Sequence, residues 1–294
     1  MLGSVLSLCS AFFWASAVIL FKKSGDVFSP VSLNIYKSFV ALILVSLTML
    51  MLNIPFFPDK PLNDWLLLSV SGFLGITLAD LFFFMALNRL GASILGIVEC
   101  FYLPCVIFFS FILLDETLSI GAIVGSFLIL TAVFVGSMTK KTLNDTPDNK
   151  SSLSAILIGC LSMGFVAIGI VMIKELLEQT DVFWATLVRV MAGTVSLFVI
   201  VLCHPKRRQY LQELKFSKAW FTAFPASVSG NYLALLCWVG GMKYTTASRA
   251  AILNQMSTIF IFILAAVFLK EKITVNKSIA ILLALIGACL TIFS

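Results

Sequence analysis

Long runs of hydrophobic residues, separated by short polar segments, make up most of the chain. A helix needs about 20 apolar residues to cross about 30 Å of hydrocarbon, and ten runs have roughly that length. The pattern therefore predicts ten membrane-spanning helices, which we call spans 1 to 10 in chain order. Their expected bounds are 3–21, 30–52, 65–87, 92–114, 118–138, 153–173, 182–203, 219–242, 246–269 and 275–293. The polar segment at 204–218 predicts a short surface helix.

The second half of the chain repeats the pattern of the first. The stretch MALNRLGAS at 85–93 aligns with GGMKYTTAS at 240–248, and Glu271 follows Glu116 at the same offset of 155 residues. Such a constant offset indicates that one structural unit occurs twice.

Each copy holds five spans, an odd number, so the second copy must enter the membrane from the opposite side. We therefore expect an all-α integral membrane protein with ten transmembrane helices in two inverted five-helix repeats. The expected bounds are 1–142 for the first repeat, 143–152 for a linker and 153–294 for the second repeat.

Composition agrees with a membrane protein. Sixty per cent of the 294 residues are hydrophobic and 12% are charged. A soluble domain of this length could not bury so much apolar surface, so we expect lipid as its solvent and partner, in the cell membrane. The net charge of +6 then reflects basic residues placed around the membrane, and no nucleic-acid partner is expected.

The basic residues are distributed unevenly between the connections. Connections after odd-numbered spans carry fourteen Lys and Arg residues, and those after even-numbered spans carry three. Basic loops stay on the cytoplasmic side. The count therefore predicts that both termini face the outside of the cell.

Four short motifs stand out in this duplicated layout, and the last two are copies of one pattern. SAFFWASAVILFKK places Trp14 and Lys22 in span 1, and SPVSLNIYKSF places Pro30 and Lys37 in span 2. FILLDETLS and AAVFLKEKIT end spans 4 and 9 with a glutamate. With these motifs the whole chain resembles the ten-helix EamA-type members of the drug/metabolite transporter superfamily. Span 6 departs from the pattern by carrying Gly164 where a tryptophan would echo Trp14.

The resemblance implies a function and an arrangement. It implies a secondary transporter of small metabolites, often an exporter, in which the fourth and ninth spans line a central cavity. It also implies that both termini lie in the cytoplasm, which is opposite to the orientation that the basic residues predict.

Ionisable residues inside the apolar runs are the first candidates for a functional site, because a charged group in lipid is costly. They are Lys37, Asp80, Glu99, Arg189 and Arg249. Lys37 and Arg189 lie only seven residues inside their spans, so we expect both to snorkel to the interface. Arg249 is expected either to do the same or to bind an anionic group of a substrate.

Asp80 and Glu99 are expected near the middle of the membrane. Asp80 precedes Arg89 by nine residues and Glu99 follows it by ten. At about 1.5 Å per residue, both carboxylates lie about 13–15 Å from that surface. For Asp80, the alternative to a role in transport is a purely structural hydrogen bond. For Glu99, the alternative is a structural ion pair with Arg249 or Lys37.

Asn254 and Gln255 reach a similar depth from the other surface, and the repeat aligns them with Glu99 and Cys100. Transporters built from inverted repeats bind substrate near the midplane. All four polar residues, including Asp80, are therefore candidates for substrate binding or coupling. Interhelical hydrogen bonding remains the alternative for the two amides.

The remaining candidates are aromatic or interfacial residues. Tyr102 follows Glu99 by three residues and so shares its helix face, and Trp14 is a candidate for an aromatic wall of the cavity. Glu116 and Glu271 are expected to cap the span that follows each of them, near its positive N-terminal end.

The leading hypothesis is a secondary active transporter that exports a small polar or amphipathic metabolite such as an amino acid. Access would alternate around a midplane cavity, and Glu99 or Asp80 would bind a cationic group or carry a coupling proton. The sequence contains no phosphate-binding loop ending in Gly-Lys-Ser or Gly-Lys-Thr, and we expect no cofactor, metal or enzymatic activity. An importer of a small organic cation or other nutrient, a structural or regulatory membrane protein, and a homodimeric assembly all stay open.

Overall fold

The computed structural model describes residues 1–114, 119–137, 149–215, 217–271 and 274–292. Within these ranges all regular secondary structure is helical, which confirms the expected fold class. Among the same residues, seven stretches are long and apolar enough to cross a membrane, and two shorter apolar helices fall within spans 5 and 10. Six spans are single α-helices: Leu2–Ser24, Pro30–Met51, Ile120–Ser137, Asn149–Val171, Val182–Cys203 and Val275–Ile292.

The other four spans are interrupted, and their interruptions form matched pairs. Span 3, Leu62–Leu90, contains a π-helical turn at Phe73–Leu78, and span 8, at 220–244, contains one at Val228–Ala234. Spans 4 and 9 are each split into two helices. Their bounds are Ala92–Glu99 with Tyr102–Leu113, and Ala247–Asn254 with Ser257–Phe268. Both pairs are related by the 155-residue offset, so the interruptions belong to the repeated unit.

Capping residues explain where several helices begin. Ser29 caps span 2 and Asp181 caps span 7, since each side chain accepts a hydrogen bond from a backbone N–H in the first turn. Pro30 occupies the first helical position of span 2, where its missing N–H costs nothing. The expected surface helix is present at Arg207–Glu213, and a second short helix, Lys174–Gln179, was not expected.

Contacts between connections show that the two halves run in opposite directions. The connection after span 1 meets the one after span 7, where the Ser29 backbone N–H donates to the Glu213 carboxylate at 2.9 Å. The connections after spans 2 and 6 meet at the other end of span 2, where the Lys60 ammonium donates to the Gln179 carbonyl at 3.4 Å. The connections after spans 1 and 6 are equivalent in the repeat but lie on opposite faces, so the repeats are inverted.

Glu271 joins the two halves at the start of span 4. Its carboxylate accepts hydrogen bonds from the backbone N–H groups of Ala92 at 3.0 Å and Ser93 at 3.2 Å, donors that a helix start leaves unpaired. The prediction that Glu271 caps the following span is wrong, because spans 4 and 9 run antiparallel and the end of one lies beside the start of the other. Span 10 instead contributes Lys277, whose ammonium lies 3.6 Å from Glu271. The equivalent Glu116 lies outside the described residues.

Small residues let the central spans approach one another closely. A Cβ added at Gly72 would lie 2.1 Å from the Arg189 carbonyl oxygen, and one at Gly193 would lie 2.8 Å from the Ile76 Cβ. Spans 3 and 7 therefore cross with their backbones almost in contact, a packing that small residues permit in membranes. The crossing places Arg189 beside the π-helical turn of span 3.

Candidate functional site

A cavity of about 130 Å³ lies between the two halves. Spans 1, 3, 4, 6, 7, 8 and 9 line it, and all four interrupted spans contribute residues at or next to their interruptions. Irregular helices at membrane depth are tolerated where the freed backbone groups face protein or a cavity. Since an apolar cavity of about 150 Å³ holds a molecule of benzene, this space has the size of a small metabolite.

Glu99 ends the first helix of span 4 and is only 6% exposed. The indole Nε1 of Trp14 lies 3.3 Å from each of its carboxylate oxygens. A single N–H cannot satisfy two oxygens that each accept two hydrogen bonds. Glu99 therefore keeps acceptor capacity on the side that faces the cavity.

Lys37 and Asp80 form a buried ion pair between spans 2 and 3. The prediction that Lys37 snorkels to the interface is wrong, because its helix face points toward span 3, where Asp80 supplies a counter-ion. Asp80 also lines the cavity. Because Lys37 pairs with Asp80, it does not form the structural ion pair with Glu99 that was considered as an alternative.

Arg189 is buried in span 7 and lines the cavity, so the prediction that it snorkels is also wrong. Its guanidinium lies over the Trp238 ring, 5.4 Å from the ring centroid. Neither Nε nor Nη1 has a hydrogen-bond partner within the described parts of the chain. The sequence analysis named Arg189 among the ionisable candidates but assigned it to the interface, because it lies only seven residues inside its span.

The two amides of span 9 make different contacts. The Gln255 Nε2 donates to the Thr258 hydroxyl at 2.8 Å and to the Cys100 thiol at 3.1 Å. Cys100 is the repeat counterpart of Gln255, so this contact connects the two helix breaks. It is an interhelical hydrogen bond of the kind considered as the alternative role for the two amides. Asn254 lines the cavity, and its Oδ1 has no hydrogen-bond partner among the described residues.

Tyr102 and Arg249 complete the set of predicted site residues. Tyr102 lines the cavity, with its ring centroid 6.4 Å from that of Trp238. Arg249 lies apart, exposed in the first turn of span 9 and outside the cavity lining. The structure thus brings six of the seven predicted residues to one cavity. No group of three or more His, Cys, Asp or Glu side chains in the described ranges is arranged to hold a metal ion.

Known proteins share this fold and sequence pattern. A solved crystal structure matches with a TM-score of 0.73 at 16% identity, covering 98% of this chain and 95% of that one. At this identity the likeness shows the fold alone.

Two relatives are described as transporters. "Uncharacterized transporter YetK" from Bacillus subtilis (strain 168) is 29% identical over 138 residues, which is 47% of this chain and 41% of that protein. The alignment thus spans less than half of the Bacillus protein. An "Uncharacterized transporter" from Archaeoglobus fulgidus is 25% identical over 281 residues, which is 93% of this chain and 92% of that protein.

A family model described as the EamA-like transporter family matches the chain twice, at residues 1–138 and 153–293. The two matches cover both halves, in agreement with the resemblance seen in the sequence. The chain is a multi-pass membrane protein that belongs to the EamA-like transporter family, within the drug/metabolite transporter superfamily.

Proposed function

We propose that the protein is a secondary active transporter that exports a small polar or amphipathic metabolite such as an amino acid, with a proton as the coupling ion. The observation that carries the proposal is the buried carboxylate of Glu99, which faces a cavity between inverted repeats and accepts from the Trp14 N–H. A carboxylate at this depth is costly when charged unless a ligand, a proton or water accompanies it. Glu99 is therefore suited to exchange a proton for a donor group of the substrate.

The repeated fold supports alternating access to the cavity. Two inverted repeats can exchange conformations, so that the cavity opens first to one side of the membrane and then to the other. The breaks in spans 4 and 9 lie beside the cavity and are held together by the Gln255–Cys100 contact. Bending at the two breaks would move the outer parts of both spans while this crossing stays in place.

Efflux from reconstituted proteoliposomes tests the proposal. Vesicles are loaded with a mixture of labelled amino acids and other small metabolites, and efflux is measured with and without an acidic exterior. We expect at least one compound to leave faster when protons can enter in exchange. The Arg249→Gln variant serves as a control and should behave like the wild type, since Arg249 is exposed outside the cavity.

Two results would contradict the proposal. Efflux at the rate of protein-free vesicles for every compound, from protein that is demonstrably folded, would refute transport. Acceleration of uptake in place of efflux by the same gradient would identify an importer.

A further inference from the structure

The two halves treat one buried basic residue differently. The stretch NIYKSFVAL at 34–42 aligns with TLVRVMAGT at 186–194, at an offset of 152 residues that pairs Lys37 of span 2 with Arg189 of span 7. The offset of 155 residues pairs Asp80 of span 3 with Leu235 of span 8. Lys37 and Asp80 form an ion pair, whereas the side chain of Leu235 cannot accept a hydrogen bond. The second half therefore lacks, at the equivalent position, the counter-ion that the first half provides.

The geometry around Arg189 leaves room for a ligand. The side chain is 2% exposed and is held over the Trp238 ring. A Cβ at Gly75 would lie 3.3 Å from the Arg189 Nη2, so the glycine leaves this wall of the cavity open. Because Nε and Nη1 have no partner among the described residues, the guanidinium carries the cost of unmade hydrogen bonds in a buried place. The cavity is the route by which a partner can reach it.

The charges around the cavity favour a substrate that carries both signs. The ionisable Asp, Glu and Arg side chains among its described lining residues are Asp80, Glu99 and Arg189. Asp80 forms an ion pair with Lys37 and also attracts Arg189 electrostatically, without a hydrogen bond to its Nε or Nη1. Glu99 and Arg189 are therefore the acidic and the basic lining groups that have no ion-pair partner among the described residues. A substrate that is complementary to both carries an anionic and a donor group.

We infer that Arg189 binds a carboxylate group of the transported metabolite, and this inference rests on the proposed function. The planar guanidinium presents pairs of N–H groups that match the two oxygens of a carboxylate. Glu99 then receives the amino group of the same molecule. The substrate class is a small amphoteric acid of amino-acid size. The anion-binding role considered for Arg249 in the sequence belongs to Arg189.

An acidic residue at position 235 tests whether the guanidinium is free. Leu235→Asp gives Arg189 the kind of partner that Lys37 already has, and Leu235→Asn is the matched control of the same size without the charge. We expect the ligand-free L235D protein to melt a few degrees above L235N, because the new carboxylate pairs with Arg189. A melting temperature equal to or below that of L235N would overturn the inference.

Three matched probes test the substrate class in proteoliposomes. They are L-valine, isobutylamine, which lacks its carboxylate, and 3-methylbutanoate, which lacks its amino group. The flux that is measured is that of a labelled compound found to be transported in the efflux assay. We expect the two carboxylate-bearing probes to inhibit this flux by competition in the wild-type protein. Arg189→Gln should weaken this competition at least tenfold, L235D should weaken it at least tenfold relative to L235N, and Arg189→Lys should retain part of it.

The possible failures are distinguishable. Competition by the amine alone, or competition by carboxylates that R189Q leaves unchanged, would overturn the role of Arg189 while the transporter proposal stands. The absence of flux for every compound would overturn the proposed function and this inference with it.

Discussion

The helix breaks in spans 4 and 9 occupy equivalent positions but carry different chemistry. The residue before the break is Glu99 in span 4 and Asn254 in span 9. Trp14 of span 1 donates to Glu99, whereas the corresponding position of span 6 is Gly164, where a Cβ would meet nothing within 4 Å. Both halves thus keep the interrupted backbone, but only the first half carries the carboxylate and its donor at this place.

A second pair of equivalent positions shows the same division. In the first half, Lys37 forms an ion pair with Asp80. In the second half, the equivalent residues Arg189 and Leu235 both line the cavity and cannot form such a pair. A duplicated scaffold can therefore hold an asymmetric set of charges, because backbone geometry is fixed by packing while cavity side chains are free to differ.

The largest effect is expected in a test of how the chain is oriented in the membrane, because a cysteine on one side is labelled from outside and a cysteine on the other side is not. The excess of basic residues after odd-numbered spans predicts that the loop at 204–218 faces the cytoplasm. In intact cells and a background without native cysteines, a membrane-impermeant thiol reagent should label a cysteine added after Ser294 but not a Lys206→Cys variant. Labelling at position 206 alone would reverse the orientation and place both termini in the cytoplasm.

Converting Glu99 to an amide should make the first break resemble the second. In Glu99→Gln we expect accumulation driven by a pH gradient to be abolished, because the amide cannot take up and release the coupling proton. Substrate exchange without a gradient should persist, because glutamine keeps the shape and can still accept from Trp14. Both fluxes are measured in proteoliposomes beside a thermal unfolding control. Unchanged gradient-driven transport would move the coupling role to Asp80.

Features that recur along the chain could be predicted from the sequence. The spans follow from run length, and the inversion follows from the odd number of spans in each copy. Depth counting from Arg89 was enough to bring Asp80 and Glu99 to one cavity, because a helix converts residue number into distance.

Features that depend on how helices face one another could not be predicted. Lys37 and Arg189 lie near helix starts, where depth alone favours snorkelling, but both side chains point inward. The partner of Glu271 belongs to the other half and follows only from the antiparallel crossing of spans 4 and 9. The π-helical turns of spans 3 and 8 carry no sequence signal that we identified.

Removing one partner of the buried ion pair should destabilise the protein strongly. Asp80→Asn leaves Lys37 as a buried cation without a counter-ion, which typically costs about 3–5 kcal/mol. The double variant Lys37→Met with Asp80→Leu should recover most of the loss, since an apolar pair needs no counter-ion and leucine is the residue of the second half. Unfolding in detergent is compared for the single and double variants. Equal destabilisation of both would contradict the role of the pair.

A smaller effect is expected at the contact between the end of span 9 and the start of span 4. Glu271 accepts from two backbone N–H groups, on Ala92 and Ser93, and its negative charge lies at the positive end of the span 4 helix. Glutamine has one acceptor oxygen and no charge, so Glu271→Gln loses part of the cap and the attraction to Lys277. Loss of a helix cap typically costs about 0.5–2 kcal/mol.

The control for this variant is an ion pair with a shorter distance and one exposed partner. Glu178 lies 2.6 Å from Lys174, which is buried, but the Glu178 side chain itself is 58% exposed. Water screens the exposed carboxylate, so we expect a contribution near the range of about 0–1 kcal/mol for exposed pairs. We therefore expect Glu271→Gln to lower the unfolding temperature more than Glu178→Gln does, although the distance alone favours the opposite order. High salt should reduce the effect of the Glu178 substitution and leave most of the Glu271 effect, because the latter bonds are partly buried. If the two substitutions lower the unfolding temperature equally, the contact of Glu271 with the start of span 4 does not stabilise the packing of the two halves.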